Sequence, residues 1–378
     1  MNVLFYYNVT INSRFGGIAH VTYYLGEYFK SIGWNVFFLS VNRTSDDQVD
    51  YQYYLPNGRN KQAFINEIFF LDFVRKNNIS VVINQNGINP CSNEILYWGK
   101  KANVTIITVL HNSLVGMYGM ANHLQKLTPI ITKLRLTYIV QKILLRFFQI
   151  KYQKYYRQQV ILSDKIVLLS DKFFPEYKYF AGETFNKIIS IPNPVTIPIE
   201  DIVPKKEKEV LFVGRLVKEK GVDRLLSIWK KIYKKHLDWN LIIVGDGKER
   251  MTLEDLSAKM KLENVSFEGF QSPEKYYKRA SIFCMVSSFE GFGLVLVEAM
   301  ANAVVPLAFN SYANVSDIID DGVNGYLVTP FCLDEYATKL STLMDDVELR
   351  SLISKRAKEK SNVFSMEVIG RQWQKLLS

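Results

Sequence analysis

The chain is 378 residues long, with 48% hydrophobic and 13% aromatic residues and a formal net charge of +10. This length predicts about two domains, and the hydrophobic content excludes a largely disordered chain. No apolar run reaches the roughly 18 residues that a membrane-spanning helix needs, while the positive charge favours an anionic partner such as nucleic acid, a nucleotide or acidic lipid.

The N-terminal half alternates strand-like apolar runs with segments of helical periodicity. Residues 2–8 and 35–41 are strand-like, and residues 17–31 between them carry apolar side chains at helical spacing. Gly16 and Gly17 open this helix and would let the backbone approach a ligand. The other elements predicted in this half are strands at 81–84, 104–110 and 165–169 and a helix at 61–76. Such alternation predicts a parallel sheet that is covered on both faces.

A basic segment without acidic residues spans 117–160. Its lysines and arginines alternate with apolar and aromatic residues; they are Lys126, Lys133, Arg135, Lys142, Arg146, Lys151, Lys154 and Arg157. The pattern predicts one or two basic amphipathic helices. These helices could lie on anionic lipid headgroups, where each basic residue contributes about 1 kcal/mol, or pack their apolar face on the protein's own sheet. Because so strong a charge bias exceeds what a solvated face needs, an anionic membrane surface is the favoured partner.

A change of composition in the middle of the chain predicts a linker. Residues 189–198 form a proline-punctuated extended segment, and the charged run 205–209 follows it. We expect an N-terminal domain at 1–192 and a C-terminal domain at 193–365. The amphipathic helix predicted at 366–378 could pack back on the first domain.

The second half repeats the alternation of strands and helices. The elements predicted there are strands at 209–213, 240–244, 265–267, 281–285 and 304–309, with a helix at 222–235. The fold class is therefore α/β, with two doubly wound parallel sheets.

The stretch 287–301 holds two carboxylates, Glu290 and Glu298, on either side of a glycine turn that begins a helix. Carboxylates accept hydrogen bonds from sugar or ribose hydroxyls, and the N–H groups at a helix N-terminus attract phosphate. Arg215 and Lys220 follow another strand of this half, and ligands of open α/β sheets bind at the carboxyl ends of strands. These loops predict a site for a hydroxyl-rich ligand with a diphosphate, although a lysine-rich surface loop is the alternative for 214–221.

Three groups of residues then resemble the donor-binding half of glycosyltransferase family 4. They are Gly214-Arg215 with Lys220-Gly221, the turn Val244-Gly245-Asp246-Gly247, and Glu290-Gly291-Phe292-Gly293-Leu294 with Glu298-Ala299. The resemblance is close over 209–328 and loose in the N-terminal half, where Gly16-Gly17 and residues 109–112 carry it. It implies the GT-B fold, in which two Rossmann-like domains face a central cleft. The C-terminal domain would bind a nucleotide-sugar donor, and the N-terminal domain would bind most of the acceptor.

The resemblance also implies roles for individual residues. Arg215 and Lys220 would hold the donor diphosphate, and Glu298 would accept the ribose hydroxyls. Glu290 would lie beside the donor sugar, and His111 near the reacting carbon. The implied catalytic set is His111, Glu290, Arg215 and Lys220, and the implied donor-binding set is Gly16, Gly17, Gly214, Arg215, Lys220, Glu290, Phe292, Gly293, Leu294 and Glu298.

The expected function is that of a retaining glycosyltransferase that moves a sugar from a UDP- or GDP-sugar to a glycan or lipid-linked acceptor. Cell-surface polysaccharide or lipopolysaccharide biosynthesis is the expected setting, at the inner face of the cell membrane. The distant cysteines Cys91, Cys284 and Cys332 indicate a reducing, cytoplasmic compartment. Because the chain contains no D-x-D triplet, the usual carboxylate pair for Mg²⁺ or Mn²⁺ on a donor diphosphate, we expect no metal and no cofactor.

Two other protein classes fit the sequence less well. A non-enzymatic anion or nucleic-acid binder would use the +10 charge, but the chain has no recognition-helix, zinc or aromatic RNA motif. We therefore expect no nucleic-acid partner. A nicotinamide dehydrogenase would need a G-x-G-x-x-G fingerprint, which the chain lacks.

Overall fold

The computed structural model describes residues 1–13, 16–44, 50–58, 63–89, 93–119, 137–184, 186–197 and 205–378. These residues divide into two compact units. The first unit comprises Met1–Pro194 together with Met366–Ser378, and the second comprises Val195–Ser365. Cys91 and the basic residues Lys126, Lys133 and Arg135 lie outside the described residues.

The first unit contains a parallel sheet whose strands follow the order β3-β2-β1-β4-β5-β6-β7 over the described residues. The strands are β1 (Asn2–Val9), β2 (Asn35–Asn42), β3 (Gln52–Tyr54), β4 (Val81–Asn84), β5 (Thr105–Leu110), β6 (Lys165–Leu168) and β7 (Ile188–Ser190). In the register of the central strands, Phe5 lies opposite Phe38 on one side and Ile83 on the other. Apolar runs of this kind suit parallel strands because helices bury both faces of the sheet.

Helices cover both faces of this sheet. They are α1 (Gly17–Ser31), α2 (Ala63–Lys76), α3 (Glu94–Lys101), α4 (Leu114–Gly119), α5 (Thr137–Leu162) and α6 (Phe174–Ala181). On one face Phe5 stacks on Phe29 of α1, with ring centroids 5.8 Å apart. On the other face Phe70 of α2 packs against Trp98 of α3. The predicted helix at 17–31 is confirmed. Residues 137–160 of the basic segment lie in one long helix, α5.

The second unit contains another parallel sheet, with the strand order β10-β9-β8-β11-β12-β13. The strands are β8 (Glu209–Val213), β9 (Asn240–Val244), β10 (Val265–Gly269), β11 (Ile282–Met285), β12 (Val305–Phe309) and β13 (Tyr326–Val328). The helices are α7 (Val222–Ile232), α8 (Arg250–Lys259), α9 (Glu274–Arg279), α10 (Leu294–Ala301), α11 (Val315–Ile318), α12 (Leu333–Asp345) and α13 (Val347–Ser361). The predicted bounds of β8 and β9 are confirmed. Trp229 and Trp239 are buried in the core of this unit.

The last helix, α14 (Met366–Leu377), belongs to the first unit and packs on α1. Gly370 permits this close contact, because a Cβ atom there would lie 2.3 Å from the ring of Tyr28. The chain therefore returns to its first unit after completing the second.

The boundary between the two units lies after Pro194, within the proline-punctuated segment 189–198 that was predicted as a linker, but this segment begins in a strand that was not predicted. Its beginning belongs to β7, which pairs in parallel with β6 at the edge of the first sheet. Pro192 and Pro194 lie beyond the last residue of this strand, where no ladder hydrogen bond is required of them. The short edge strands β3 and β13 were also not predicted.

Candidate functional site

Two glycine loops meet at the carboxyl edge of the second sheet. Gly214 follows β8 and Gly245 follows β9, and the Gly214 N–H donates to the Val244 carbonyl at 3.0 Å. A Cβ atom on Gly245 would lie 1.9 Å from the Gly214 carbonyl oxygen. Only glycine allows so close a contact, so the two loops pack backbone against backbone at this edge.

The structure brings together the two charged residues predicted to act at this edge. Lys220 Nζ lies 2.5 Å from Glu290 Oε1, although the residues are on different loops. The two side chains are only 18% and 13% exposed. Burial and then the nearby Glu290 carboxylate raise the pKa of Tyr312. Lys220 and Glu290 therefore form a mostly buried ion pair at the carboxyl ends of β8 and β11.

Arg224, which the sequence analysis did not single out, joins the same two loops. From the first turn of α7 its Nη2 donates to the Val286 carbonyl at 2.9 Å and to the Ser288 hydroxyl at 2.8 Å. The Ser288 N–H in turn donates to the Glu219 carbonyl at 2.7 Å. Burial lowers the pKa of Arg224. These bonds fix the position of the Lys220 loop relative to the Glu290 loop.

Two glycines in the left-handed region shape the loops. Gly221 has φ +69°, and a Cβ atom there would lie 2.4 Å from the Val286 carbonyl oxygen. Gly293 has φ +88°, and a Cβ atom there would lie 2.8 Å from the Tyr312 hydroxyl. Other residues would be strained at both positions. Gly293 directly precedes α10, so the first N–H groups of that helix lie beside the Glu290 loop.

The Glu290 loop is also held from the far side by Asn314, another residue that the sequence analysis did not single out. Asn314 is fully buried, and its Nδ2 donates to the Gly291 carbonyl at 3.1 Å. Phe292 is buried and packs against Phe364, with ring centroids 5.6 Å apart. The loop that carries Glu290 therefore has fixed anchors on both sides of the carboxylate.

Glu298 is deeper in the structure than the sequence suggested. It is 5% exposed, and its Oε1 and Oε2 accept hydrogen bonds from the hydroxyls of Thr196 at 3.0 Å and Tyr277 at 3.1 Å. Burial raises the pKa of Glu298 to about 7. Each carboxylate oxygen has a second lone pair, so Glu298 retains acceptor capacity beyond these two hydroxyls.

The remaining predicted residues lie in both units. Arg215 follows Gly214 in the second unit, and its side chain is exposed. Gly16 and Gly17 begin α1 in the first unit and are exposed, with φ +75° at Gly16. His111 follows β5 in the first unit.

His111 is buried and neutral at pH 7. Its Nε2 lies 2.5 Å from Gln85 Oε1, and burial lowers the pKa of the imidazole to about 4. A neutral imidazole can exchange hydrogen bonds with uncharged groups without the cost of a buried charge. Within the described ranges, no group of three or more His, Cys, Asp or Glu side chains is arranged to hold a metal ion.

Comparison with known proteins finds a family model and relatives that match part of the chain. Residues 197–360 match the family model described as glycosyl transferases group 1. An uncharacterized glycosyltransferase of Haemophilus influenzae is 34% identical over 223 residues, which are 58% of this chain and 62% of that protein. The amylovoran biosynthesis glycosyltransferase AmsD of Erwinia amylovora is 33% identical over 183 residues, which are 47% of this chain and 50% of that protein. The chain thus covers less than two thirds of either relative.

A solved structure resembles the whole chain in its fold. HepE of Anabaena in complex with UDP-glucose matches with a TM-score of 0.77 and 16% sequence identity, over 100% of this chain and 99% of HepE. The predicted GT-B fold class, with two Rossmann-like parallel-sheet domains, is confirmed.

Proposed function

We propose that this chain, whose residues 197–360 belong to the glycosyl transferases group 1 family, transfers a sugar from a nucleotide-sugar donor to a glycan or lipid-linked acceptor. The observation that carries this proposal is the Lys220–Glu290 ion pair beside the start of α10. A UDP- or GDP-sugar is the donor that fits the site, and HepE in its solved complex binds UDP-glucose. The name of AmsD supports a role in cell-surface polysaccharide or lipopolysaccharide biosynthesis.

The chemistry of the donor accounts for the charges at the site. When the bond between the sugar C1 and the diphosphate breaks, negative charge develops on the phosphate oxygens. Lys220, Arg215 and the N-terminus of α10 would stabilise this charge. Glu290 would orient the sugar and offset the positive charge that develops on its ring. Glu298, with its remaining lone pairs, would accept the ribose hydroxyls.

The transfer retains the configuration of the sugar in this proposal. The acceptor oxygen attacks C1 on the face that the diphosphate leaves, and a donor phosphate oxygen takes the acceptor proton. The reaction needs no metal, which is supported by the absence of a D-x-D triplet from the sequence. The neutral His111 would bind a sugar hydroxyl near the reacting carbon.

A surface of α5 supports action at a membrane. Ile139, Ile143, Phe147 and Ile150 are each more than half exposed, and their spacing of three or four places them along one side of the helix. The opposite side is buried, for example at Tyr156 and Val160. We call the four exposed apolar residues the α5 stripe.

The basic residues around the α5 stripe favour anionic lipid as its partner. Lys142, Arg146, Lys151 and Lys154 lie along the same helix, which carries no acidic residue. An exposed apolar stripe among basic residues suits the headgroup region of anionic lipid. No helix among the described residues is both long and apolar enough to cross a bilayer. Through the α5 stripe and these basic residues, the chain would bind peripherally at the inner face of the cell membrane, where lipid-linked acceptors are accessible.

Ligand binding tests the proposed donor class. A nucleotide at about 100 times its Kd adds about 2.7 kcal/mol to the stability of the state that binds it. A thermal-shift panel of nucleoside diphosphates and nucleotide sugars should therefore raise the melting temperature for UDP or GDP compounds. Lys220→Ala should abolish the shift. Lys231→Ala removes an exposed ion pair with Asp334 in the same unit and should leave it unchanged. A shift that survives in Lys220→Ala would contradict the proposed site.

A further inference from the structure

A cluster of buried polar side chains lies at the carboxyl edge of the first sheet. Asn8 is near the end of β1, Asn84 ends β4, Gln85 and Asn86 follow it, and His111 follows β5. The strand order makes β1, β4 and β5 neighbours. The order reverses between β1 and β4, which is the position where open α/β sheets bind ligands. We call these five residues the amide cluster.

Hydrogen bonds fix four side chains of the amide cluster, those of Asn84, Gln85, Asn86 and His111. Asn86 Oδ1 accepts from the Asn8 N–H at 3.2 Å, and Asn84 Oδ1 accepts from the Asn86 N–H at 3.0 Å. His111 Nε2 and Gln85 Oε1 form the third contact, at 2.5 Å. The backbone is pinned as well, since the Gln85 N–H donates to the Tyr6 carbonyl at 2.9 Å. The geometry of the cluster is therefore set by the protein before any ligand arrives.

In the part of the chain that the structure describes, four polar atoms of the cluster are buried without a hydrogen-bond partner. They are Asn8 Oδ1, Asn84 Nδ2, Asn86 Nδ2 and His111 Nδ1. Asn84, Asn86 and His111 are each more than nine-tenths buried. Folded proteins satisfy most of their buried polar atoms, because an unmade bond leaves the cost of desolvation uncompensated. Four such atoms at one sheet edge therefore indicate a group that occupies this place in the working protein.

The chemistry of these atoms selects the group. The two Nδ2 atoms are donors, while Asn8 Oδ1 is an acceptor. His111 Nδ1 is also an acceptor when Nε2 donates to Gln85. The cluster carries no charge, since burial keeps the imidazole neutral. A carboxylate group only accepts hydrogen bonds and an ammonium group only donates them, so neither charged group could pair with both kinds of atom. A hydroxyl donates and accepts, and therefore suits both kinds.

We propose that the amide cluster binds the hydroxyl groups of a neutral sugar in the acceptor. This inference rests on the proposed sugar transfer, and it assigns a substrate chemistry that differs from the charged donor site of the second unit. Asn8 is only half-buried, so the cluster approaches the protein surface at the end of β1. A sugar that enters there would place one or more hydroxyls among the four unpaired atoms.

Direct binding of simple sugars tests the inference. The probes are methyl glycosides of glucose, galactose and N-acetylglucosamine, with glucuronate and glucosamine as charged counterparts, and binding to the full chain is followed by saturation-transfer NMR. At least one neutral glycoside should bind more tightly than either charged sugar. Asn84→Ala and Asn86→Ala should each weaken that binding by tenfold or more. Asn77→Ala is the matched control, because the Asn77 amide in the same unit already donates to the Phe73 carbonyl.

A second variant separates lost binding from lost folding. Asn84→Asp keeps the oxygen that accepts from Asn86 and replaces the unpaired donor by an acceptor, so it should weaken glycoside binding as well. All variants are compared at temperatures below their measured melting transitions. Equal glycoside binding by the wild type and the folded Asn84 and Asn86 variants would overturn the inference, as would a wild type that binds no neutral glycoside. Either result would assign the four atoms to buried water.

The donor site provides an independent control. Lys220→Ala should bind the neutral glycoside as the wild type does, because Lys220 belongs to the second unit. Loss of glycoside binding in this variant would overturn the assignment to the amide cluster. Failure of every nucleotide to bind the wild type would instead refute the proposed function, whatever the glycoside result.

Discussion

The buried carboxyl of Glu298 makes the stability of the second unit depend on pH. The pKa of Glu298 in the folded protein is about 7, against a usual value of 4.5, and burial is the largest cause. Between these pH values the folded protein holds a proton that the unfolded chain has lost. The free energy of unfolding therefore falls as the pH rises from 4.5 to 7 and is constant above that range.

The magnitude follows from the two pKa values. At about 1.4 kcal/mol for each pH unit, Glu298 costs the folded state about 3 kcal/mol at pH 8 relative to pH 4. Glu298→Gln keeps the shape of the side chain and cannot ionise. The difference in unfolding free energy between the variant and the wild type should therefore shift in favour of the variant by most of this amount when the pH is raised from 5 to 8. The Thr196 and Tyr277 hydroxyls can rotate to donate to the amide oxygen or accept from its nitrogen.

The assay must report on the second unit alone. Urea unfolding followed by hydrogen exchange of peptides from β8 and β11, at pH 5 and pH 8, meets this need. Glu263→Gln, at an exposed position of the same unit, is the matched control and should follow the wild type. If the stability difference between wild type and Glu298→Gln is the same at both pH values, Glu298 is already ionised in the fold and the reasoning is wrong.

Three further predictions concern the loops and α5. Gly293→Ala should lower the free energy of unfolding by about 1–3 kcal/mol, because alanine is strained in the left-handed backbone conformation of this residue. Gly17→Ala, where a Cβ atom has open space, should lower it little. Equal losses in thermal unfolding would contradict the proposed strain at Gly293. Arg224→Lys keeps the positive charge but loses the guanidinium group that donates to both Val286 and Ser288. The backbone amides of 286–292 should therefore exchange hydrogen faster, and the KM for the donor should rise. Unchanged exchange would show that Arg224 does not hold the loop. Charge reversal on α5 combines Lys142→Glu, Arg146→Glu, Lys151→Glu and Lys154→Glu. The variant should no longer sediment with anionic vesicles, and undiminished sedimentation would refute peripheral attachment.

The central strands could be predicted from the sequence because they are buried on both faces. β8 and β9 are continuous apolar runs bounded by charged or glycine-rich turns, a pattern that is typical of parallel strands buried on both faces. The edge strands β3, β7 and β13 have three residues each. Three residues are too few to show the length or alternation that predicts a strand, whatever their composition.

Single residues of the candidate site could be predicted from the sequence, but the contacts between them could not. Glu290 and Lys220 were predicted from their loops, but their contact depends on β8 and β11 being adjacent in the sheet. Arg224 binds a loop more than 60 residues away, and no local pattern encodes that distance. A basic residue three positions after Gly221 was the available signal. The spacing of the two glutamates does not predict that Glu298 is buried and hydrogen-bonded to Thr196 and Tyr277.

Transfer itself tests the central claim most directly. The measurement is the release of UDP or GDP from a panel of nucleotide sugars, in the presence of membrane extracts that supply the acceptor, by the wild type, Glu290→Gln and the control Lys231→Ala. The account predicts release by the wild type and the control, and a loss of at least a hundredfold, or about 2.7 kcal/mol of barrier, in Glu290→Gln with its melting temperature nearly unchanged. Wild-type rates in Glu290→Gln would contradict it.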